Sequence, residues 1–153
     1  MHKPLDKIID RGNDPTGFGH FGASRGFDKN GKKKYHKGHD IKSTPREAVF
    51  SMIDGTITKY GYMYKNALQF RYFDVLSHDK KINVRISYIE KHSLFKVGMN
   101  VCAGDRFAFA QDIAKYHNRN KKKGDSLMIN HIHIEIRENG ELVDPNIYLK
   151  ELK

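Results

Sequence analysis

The sequence predicts a mainly β protein built on an antiparallel sheet. Short stretches in which apolar and polar residues alternate recur along most of the chain, as in half-buried strands. Turn dipeptides such as Asp54-Gly55 and Asn139-Gly140 separate them, which is typical of antiparallel connections. Only residues 108–118 carry even a weak helical pattern. With 153 residues, of which 38% are hydrophobic and 30% charged, the chain suits one globular domain with a core.

The first 35 residues are irregular and rich in glycine. Residues 17–26 contain too many glycines for a stable helix or strand, so we expect a shaped loop there. The basic run Lys32-Lys33-Lys34 follows, and its simplest interpretation is a solvated face.

Strands are expected from residue 41 onward. The strand-like patterns lie at residues 48–53, 56–60, 68–76 and 82–89. The first two flank Asp54-Gly55, which predicts a hairpin between them. The last alternates strictly, which places on one face Ile82, Val84, Ile86 and Tyr88.

The clearest strand is residues 128–136, which ends before the Asn139-Gly140 turn. Alternate side chains of a strand share a face. One face therefore carries His131, His133 and Glu135. The other face points three isoleucines into the core, namely Ile132, Ile134 and Ile136.

The formal net charge of +10 favours anionic partners: nucleic acid, acidic lipid headgroups or an anionic cell wall. No nucleic-acid motif accompanies the basic runs, so we expect no specific nucleic acid partner. No apolar run reaches membrane-spanning length, and Met1–Asp6 lacks the apolar core of a secretory signal. The lone cysteine, Cys102, excludes an internal disulfide.

Two short patterns carry ligand chemistry. His36-Lys37-Gly38-His39-Asp40 and His131-Ile132-His133 supply imidazoles and a carboxylate, which suit zinc. A catalytic zinc site needs three protein ligands and an open position for water. His36, Asp40 and one histidine of the later pair meet that count, which leaves the other as a general base or a stabiliser of the tetrahedral intermediate.

In combination, the chain's motifs resemble the lysostaphin/LytM-type zinc endopeptidases, which cut the peptide cross-bridges of bacterial peptidoglycan. That family carries H-x-G-x-D, a G-x-[IV] hairpin, G-x-x-V-x-x-G-[DQ], H-x-H-x-E and a later D-P. The matching segments here are, in the same order, His36–Asp40, Gly55–Ile57, Gly98–Asp105, His131–Glu135 and Asp144-Pro145. Phe21–Arg25 resembles the family's F-G-x-R entry segment.

The resemblance covers about residues 14–149 and implies one LytM-like peptidase domain at 14–153, preceded by an N-terminal extension at 1–13. It implies the family's antiparallel β fold, a duplicated hybrid motif with long loops around a groove. The entry segment and the missing signal also resemble phage-encoded members. We therefore expect an endolysin or virion enzyme that reaches the cell wall or periplasm without its own signal.

The resemblance also implies roles for individual residues. His36, Asp40 and His133 match the ligands of one Zn²⁺ per chain, and His131 matches the catalytic histidine. The implied substrate is bacterial peptidoglycan, with anionic wall polymers as further partners, and the chain is expected to be a monomer unless a phage particle carries it. Three residues are candidates for substrate binding, namely Tyr88, Arg25 and His39.

The chain departs from the family at one catalytic position. Members usually carry a second catalytic histidine in a Y-x-H element, which reads Tyr88-Ile89-Glu90 here. Glu90 or nearby His92 replaces it if the strand continues, since Tyr88, Glu90 and His92 would then share a face. A carboxylate accepts a proton but cannot donate to an oxyanion as an imidazolium does. The alternative is a silent or weak zinc domain that binds cell wall or a protein partner.

Overall fold

The computed structural model describes every residue from Met1 to Lys153. The strands and helices, in chain order, are β1 (Asn13–Asp14), β2 (Gly17–Phe18), β3 (Ser24–Phe27), β4 (Lys33–Tyr35), β5 (His39–Lys42), β6 (Ala48–Phe50), β7 (Gly55–Tyr62), β8 (Arg71–Leu76), β9 (Ile82–Lys91), β10 (Asn100–Val101), β11 (Arg106–Ala110), α1 (Ile113–Asn118), β12 (His131–Glu138), β13 (Glu141–Val143) and α2 (Asn146–Leu152). All strand pairs are antiparallel, so the predicted mainly β fold is confirmed. Neither helix is long and apolar enough to cross a membrane.

The main sheet has nine strands and branches at β9. One path runs β10-β7-β8-β9-β11-β6, while β12 pairs with β9, β5 and β13. The first part of β9, from Ile82 to Ser87, pairs with β12. Its last part, from Ile89 to Lys91, pairs with β11 instead. The change of partner falls at Tyr88, whose φ of 63° is left-handed, a conformation that a bulky side chain rarely adopts.

This left-handed residue breaks the alternation expected of β9. Val84 and Ile86 enter the main core, but Ile89 joins them, whereas Tyr88 packs against a separate cluster around Phe70 and Ile113. The prediction that Tyr88 shares a face with Ile86 is therefore wrong. A register shift in β8 between Arg71 and Tyr72 accompanies the change.

The main core contains the buried apolar side chains of both paths. Ile132, Ile134 and Ile136 are fully buried in it, as the alternation of β12 predicts. Leu5, from the segment before β1, is also fully buried there.

The hairpin expected around Asp54-Gly55 does not form. β6 pairs with β11, and β7 pairs with β8 and β10. The Asp54 carboxylate accepts a hydrogen bond from the Ala103 N–H at 2.7 Å, which ties this turn to a distant loop. Gly55 is required by close packing, because a Cβ there would lie 2.3 Å from the Leu76 carbonyl oxygen.

The weak helical pattern at residues 108–118 divides between two elements. Its first residues belong to β11, which ends at Ala110, and only Ile113–Asn118 is helical. Asp112 sets the start of α1, because its carboxylate accepts a hydrogen bond from the Lys115 N–H at 3.0 Å.

The glycine-rich N-terminal region forms two small sheets where a loop was expected. β1 pairs with β2, and β3 pairs with β4, each through a short connection. The expectation that residues 17–26 contain no strand is therefore wrong. These strands are two to four residues long and mostly exposed. Their structure therefore depends on hydrogen bonds between neighbouring strands rather than on burial in the core.

The first twelve residues add backbone hydrogen bonds to the sheet edges. The Phe50 N–H donates to the Pro4 carbonyl at 2.9 Å, beside β6. The Lys42 N–H donates to the Ile9 carbonyl at 2.8 Å, and the Arg11 N–H donates to the Asp40 carbonyl at 3.0 Å. The segment is thereby fixed along β5, next to the two histidine patterns.

Candidate metal centre

Three side chains from the two histidine patterns converge on one point. Asp40 on β5 lies directly opposite His133 on β12, and His36 reaches them from the loop before β5. His133 Nδ1 lies 2.8 Å from Asp40 Oδ1 and 3.0 Å from His36 Nε2. His36 Nε2 lies 3.3 Å from the same Asp40 oxygen. The sheet register therefore unites residues almost a hundred positions apart.

The spacing of these atoms fits a small tetrahedral cation. Zinc bonds of about 2.0–2.1 Å at tetrahedral angles place neighbouring ligand atoms roughly 3.3 Å apart. The three observed separations, 2.8, 3.0 and 3.3 Å, are close to that value. Each residue offers one ligand atom to this point. Two imidazoles and one carboxylate suit zinc.

The hydrogen bonds of the two histidines orient their lone pairs toward that point. His36 Nδ1 lies 3.0 Å from the carbonyl oxygen of His20, which can only accept, so Nδ1 carries the proton. His133 Nε2 donates to Glu135 Oε1 at 3.3 Å. Both facing nitrogens, His36 Nε2 and His133 Nδ1, are thereby directed at this point, and a bound metal would replace the proton that His133 Nδ1 shares with Asp40. Glu135, on the same face of β12 as predicted, also accepts from Arg137 at 3.1 Å.

Gly38 allows the loop that carries His36 to lie directly against β12. A Cβ at this position would lie 2.2 Å from the Ile134 carbonyl oxygen and 2.7 Å from His133 Cε1. No side chain fits into that space. The glycine of the His36–Asp40 pattern is therefore a packing requirement, which brings His36 across β12.

Arg11 completes the surroundings of Asp40 and was not foreseen from the sequence. Its Nε donates to Asp40 Oδ2 at 3.1 Å, so Oδ1 remains directed at the two histidines. Arg11 also pairs with Asp14, and its side chain is fully buried. Burial opposes the charged form of Asp40, but hydrogen bonds with His133 and His36 hold the pKa of this carboxyl well below its usual range.

Burial and hydrogen bonding also have opposite effects on the pKa values of His133 and Glu135. Burial opposes a charge on His133, but hydrogen bonds with Asp40 and Glu135 raise the pKa of His133 above its ordinary value. Burial likewise opposes ionisation of Glu135, and its hydrogen bond with His133 lowers the pKa of Glu135 to about 2. Both carboxylates are therefore ionised at neutral pH.

His131 lies beside the three converging side chains. Its Nδ1 donates to the Ile129 carbonyl at 2.7 Å, which leaves the Nε2 lone pair available. Nε2 lies 4.0 Å from Asp40 Oδ2. Burial lowers the pKa of His131, so the imidazole is neutral at neutral pH. A neutral imidazole with a free nitrogen can accept a proton.

Tyr88 is the aromatic neighbour of His131. The two rings meet edge to face, with centroids 5.4 Å apart. The hydroxyl oxygens of Tyr88 and Tyr64 lie 2.8 Å apart, within hydrogen-bonding distance. Burial raises the pKa of Tyr88, so its hydroxyl keeps its proton. The left-handed backbone at Tyr88 is thus located beside the converging residues, where strained conformations tend to be functional.

Glu90 and His92 lie elsewhere. The Glu90 carboxylate pairs with Arg46 at 3.0 Å, and its side chain is 58% exposed in a different depression. The His92 ring stacks on Phe109. The prediction that Tyr88, Glu90 and His92 share a face is wrong, because the left-handed Tyr88 interrupts the alternation of β9.

The two remaining predicted substrate contacts occupy different positions. Arg25 lines the cleft, where its guanidinium also donates to the carbonyls of Phe18 (2.7 Å) and Ser24 (3.1 Å). His39 is buried, and its Nε2 donates to Asp10 Oδ1 at 2.9 Å. Because neighbours on β5 point to opposite faces, His39 does not border the cleft that Asp40 lines, contrary to expectation.

The converging residues lie in a cleft of about 1200 Å³. Tyr64, Met63, Met128 and His117 contribute to its lining, with Tyr88 and His131. The remainder of the lining includes four lysines, here called the basic rim, namely Lys32, Lys33, Lys34 and Lys37. All four are exposed, so the solvated face expected for the first three borders the cleft as well.

The comparison with protein-family models identifies one family. The model of peptidase family M23 matches residues 34–145. No curated protein sequence matches the chain. A zinc-containing peptidase from Vibrio cholerae superposes with a TM-score of 0.62 at 21% identity, over 92% of this chain and 37% of that one.

Two isolated catalytic domains also superpose. The catalytic domain of the antimicrobial peptidase lysostaphin, from Staphylococcus simulans, gives a TM-score of 0.59 at 18% identity, with 90% of this chain and 93% of that one covered. The catalytic domain of a prophage-encoded M23 protein from Enterococcus faecalis, in a mutant form, gives 0.59 at 12% identity, with 96% and 95% covered. The chain spans about half of the longer lysostaphin structures, at 55% and 56%.

Proposed function

This chain belongs to peptidase family M23, and from that premise we propose that it is a zinc-dependent endopeptidase that cleaves peptide cross-links of bacterial peptidoglycan. The observation that carries the proposal is the convergence of His36 Nε2, Asp40 Oδ1 and His133 Nδ1 within 3.3 Å of one another. Both imidazoles direct a nitrogen at that point, because their other nitrogens are held by fixed acceptors.

In this proposal His36, Asp40 and His133 hold one zinc ion. A zinc ion with three protein ligands lowers the pKa of its bound water to about 7 and polarises a substrate carbonyl. Glu135 and the His20 carbonyl fix the orientation of the two histidines. Arg11 occupies the second oxygen of Asp40, so the carboxylate presents a single oxygen to the cleft.

His131 is the proposed general base. Its free Nε2 and lowered pKa suit it to take the proton of the attacking water at neutral pH. The protonated imidazole then donates that proton to the amine that leaves as the peptide bond breaks. Such a group typically contributes about 10²–10⁴-fold to the rate.

Tyr88 is the proposed hydrogen-bond donor to the carbonyl oxygen as negative charge develops there. Its hydroxyl keeps its proton, and Tyr64 is close enough to orient it. Tyr88 thus takes the place that the sequence assigned to Glu90, whose carboxylate pairs with Arg46. His117 also lines the cleft, but it contacts Tyr64 rather than His131. Arg25 stays a candidate for substrate contact, because it lines the cleft.

The second candidate is a zinc domain that binds cell wall or a protein partner without cleaving it. The observation in its favour is that Glu90 lies in a different depression and Tyr88 stands beside His131 in place of a second imidazole. A phenol is a weaker donor to an oxyanion than an imidazolium. The two candidates therefore differ in turnover and agree on the metal.

The deciding experiment measures free amines released from purified bacterial cell walls by the zinc-loaded protein. Release that needs zinc and disappears in His131→Ala supports the endopeptidase. Wall binding without release of amines supports the silent domain. A metal-free preparation with unchanged release would overturn both.

We propose the bacterial cell wall or periplasm as the place of action, with the chain acting as a monomer. The net charge of +10 supports adhesion to anionic wall polymers as well as to peptidoglycan. Added salt should weaken that adhesion, because exposed charges are screened beyond about 10 Å at 0.1 M. An origin in a phage stays a prediction from the entry segment.

A further inference from the structure

We infer that the cleft prefers cross-link peptides that carry free carboxylates beside the scissile bond over uncharged ones such as oligoglycine. The inference rests on the proposed endopeptidase function and adds the substrate class. It is carried by the basic rim, which lines the same cleft as the proposed metal ligands. A substrate whose scissile bond reaches His131 would extend past these lysines.

The position of the basic rim follows from the local fold. β3 and β4 form a hairpin, in which Lys32 ends the turn and Lys33 and Lys34 lie on β4. The hairpin is joined to the metal cluster by its own chain, because Lys37 directly follows His36. The His36 N–H donates to the Ala23 carbonyl at 2.8 Å, which fixes the hairpin base beside the cluster.

The ammonium groups of the basic rim are unpaired, and one carboxylate of the same hairpin, Asp28, lines the cleft with them. None of its lysines forms an ion pair, although the chain contains six ion pairs that involve another lysine or an arginine. Asp28, the carboxylate of the same hairpin, accepts hydrogen bonds from the N–H groups of Asn30 (2.8 Å) and Lys32 (2.9 Å), a role within the turn. The rim therefore offers free ammonium groups to a ligand.

The other charges of the cleft leave a cationic excess, because its lining carries five lysine and arginine side chains against three carboxylates, namely Asp28, Asp40 and Glu135. The two acidic residues near the cluster are paired, Asp40 with Arg11 and Glu135 with Arg137. Arg25 adds a fifth cation to the lining, and a bound divalent cation would add to the positive potential. An anionic peptide is attracted to such a cleft, whereas an uncharged one gains nothing from it.

The size of the preference is set by the exposure of the lysines. All four are exposed, and an exposed ion pair is typically worth a factor of about 1.5 to 5. Two carboxylates that each meet one lysine would therefore strengthen binding roughly 2- to 25-fold in dilute salt. The preference should shrink as salt increases.

An anionic wall polymer is the other ligand that a basic surface would suit. The peptide is favoured, because the lysines border the same cleft as His131 and Tyr88. In the proposed reaction these two residues contact only the peptide bond that is cut, so the lysines are left to contact the rest of the peptide. Lys121, Lys122 and Lys123 provide an internal comparison, since they are also exposed but do not line this cleft. Polymer adhesion alone would make no distinction between the two basic runs.

The test compares two synthetic cross-linked peptides that differ only in free carboxylates against carboxamides. Binding is measured by fluorescence anisotropy with zinc-loaded His131→Ala, and kcat/KM is measured with the active protein. We expect the carboxylate peptide to bind roughly 2- to 25-fold more tightly. The double variant Lys33→Glu/Lys34→Glu should lose or reverse this preference, while Lys122→Glu/Lys123→Glu, with the same change in net charge, should keep it.

Each other outcome overturns the inference. Equal binding of the two peptides would overturn it while amine release from cell walls still upheld the endopeptidase. Equal loss in both double variants would assign the preference to net charge and hence to polymer-like adhesion. Competition by a soluble poly(glycerol phosphate) that is unaffected by Lys33→Glu/Lys34→Glu would point the same way. If neither peptides nor cell walls were cleaved, the proposed function itself would fail.

Discussion

The floor of the cleft and its basic rim differ in the burial and in the hydrogen bonding of their side chains. On the floor, formed by β5, β9 and β12, each candidate ligand is buried or nearly so and is oriented by a second group. On the rim, the β3–β4 hairpin and the loop that follows it present four exposed lysines that form no ion pair. The floor can therefore hold a reactive geometry fixed, and the rim can adapt to a ligand. Chemistry and substrate preference are expected to separate between them.

The largest effect is expected from removing a floor ligand. His133→Ala should lose tightly bound zinc and reduce amine release from cell walls to the uncatalysed level, because only two ligand atoms remain. Metal content by elemental analysis and amine release are the measurements. His78→Ala, which removes an exposed histidine from the turn before β9, is the matched control. Tight zinc binding by His133→Ala would contradict the proposed ligand set.

The second effect separates chemistry from metal binding on the floor itself. His131→Ala should lower kcat by about 10²–10⁴-fold, the usual contribution of a general base, while its zinc content stays at one per chain. The reason is that His131 Nε2 lies near Asp40 but outside the group of converging ligand atoms. Loss of zinc together with activity would instead make His131 a ligand.

The third effect tests Tyr88, at the junction of floor and cleft wall. Tyr88→Phe removes only the hydroxyl and should lower kcat by roughly 10²-fold with little change in KM, because the proposed contact forms as charge develops. Tyr64→Phe, one hydrogen bond farther from His131, should have a smaller effect. Glu90→Ala, measured in parallel, decides between the two assignments. A larger loss of kcat for Glu90→Ala would return the role to Glu90.

The fourth effect concerns the support of the floor ligands. Glu135→Ala should weaken zinc binding about 10- to 100-fold, because His133 Nε2 loses the acceptor that fixes its tautomer. The dissociation constant can be measured by competition with a chromophoric chelator. Glu138→Ala, on the same strand but outside the cleft lining, is the control. An unchanged zinc affinity would mean that the Ile132–Ile136 packing alone orients His133.

The residues of the floor were predictable from the sequence, partly from local alternation and partly from the order of the family's motifs. Alternation along β12 places His131, His133 and Glu135 on one face, whereas the choice of His133 as the ligand, together with His36 and Asp40, came from the resemblance to the family. Gly38 shows the limit of such patterns, since its role depends on how closely the loop approaches the Ile134 carbonyl. The family's H-x-G-x-D pattern identifies this glycine, but residue spacing alone does not show why a side chain is excluded there.

Other features were inaccessible to pattern reasoning. The left-handed backbone of Tyr88 has no marker in a strictly alternating segment, and it changes which side chains of β9 face the cleft. Arg11 contacts Asp40 only because the first residues pair along β5. In sequence, Lys32–Lys34 and Lys121–Lys123 are equivalent runs of three lysines. Only the fold determines that the first run borders the cleft and the second does not.

The smallest expected effect on activity concerns the segment below the floor. Residues 1–13 resemble an extension in sequence, yet Leu5 is fully buried in the main core, so we propose that they fold with the rest of the chain. Leu5→Ala should lower the free energy of unfolding by about 2–5 kcal/mol, with kcat/KM unchanged at temperatures where the protein stays folded. Leu94→Ala, at a leucine that is 73% exposed, should change it by less than about 0.5 kcal/mol. If both variants unfolded at the same denaturant concentration as the parent, the segment would be a detachable extension. Its contact through Arg11 would then need another explanation, because a guanidinium held over Asp40 by a loose segment could not keep one oxygen directed at the metal.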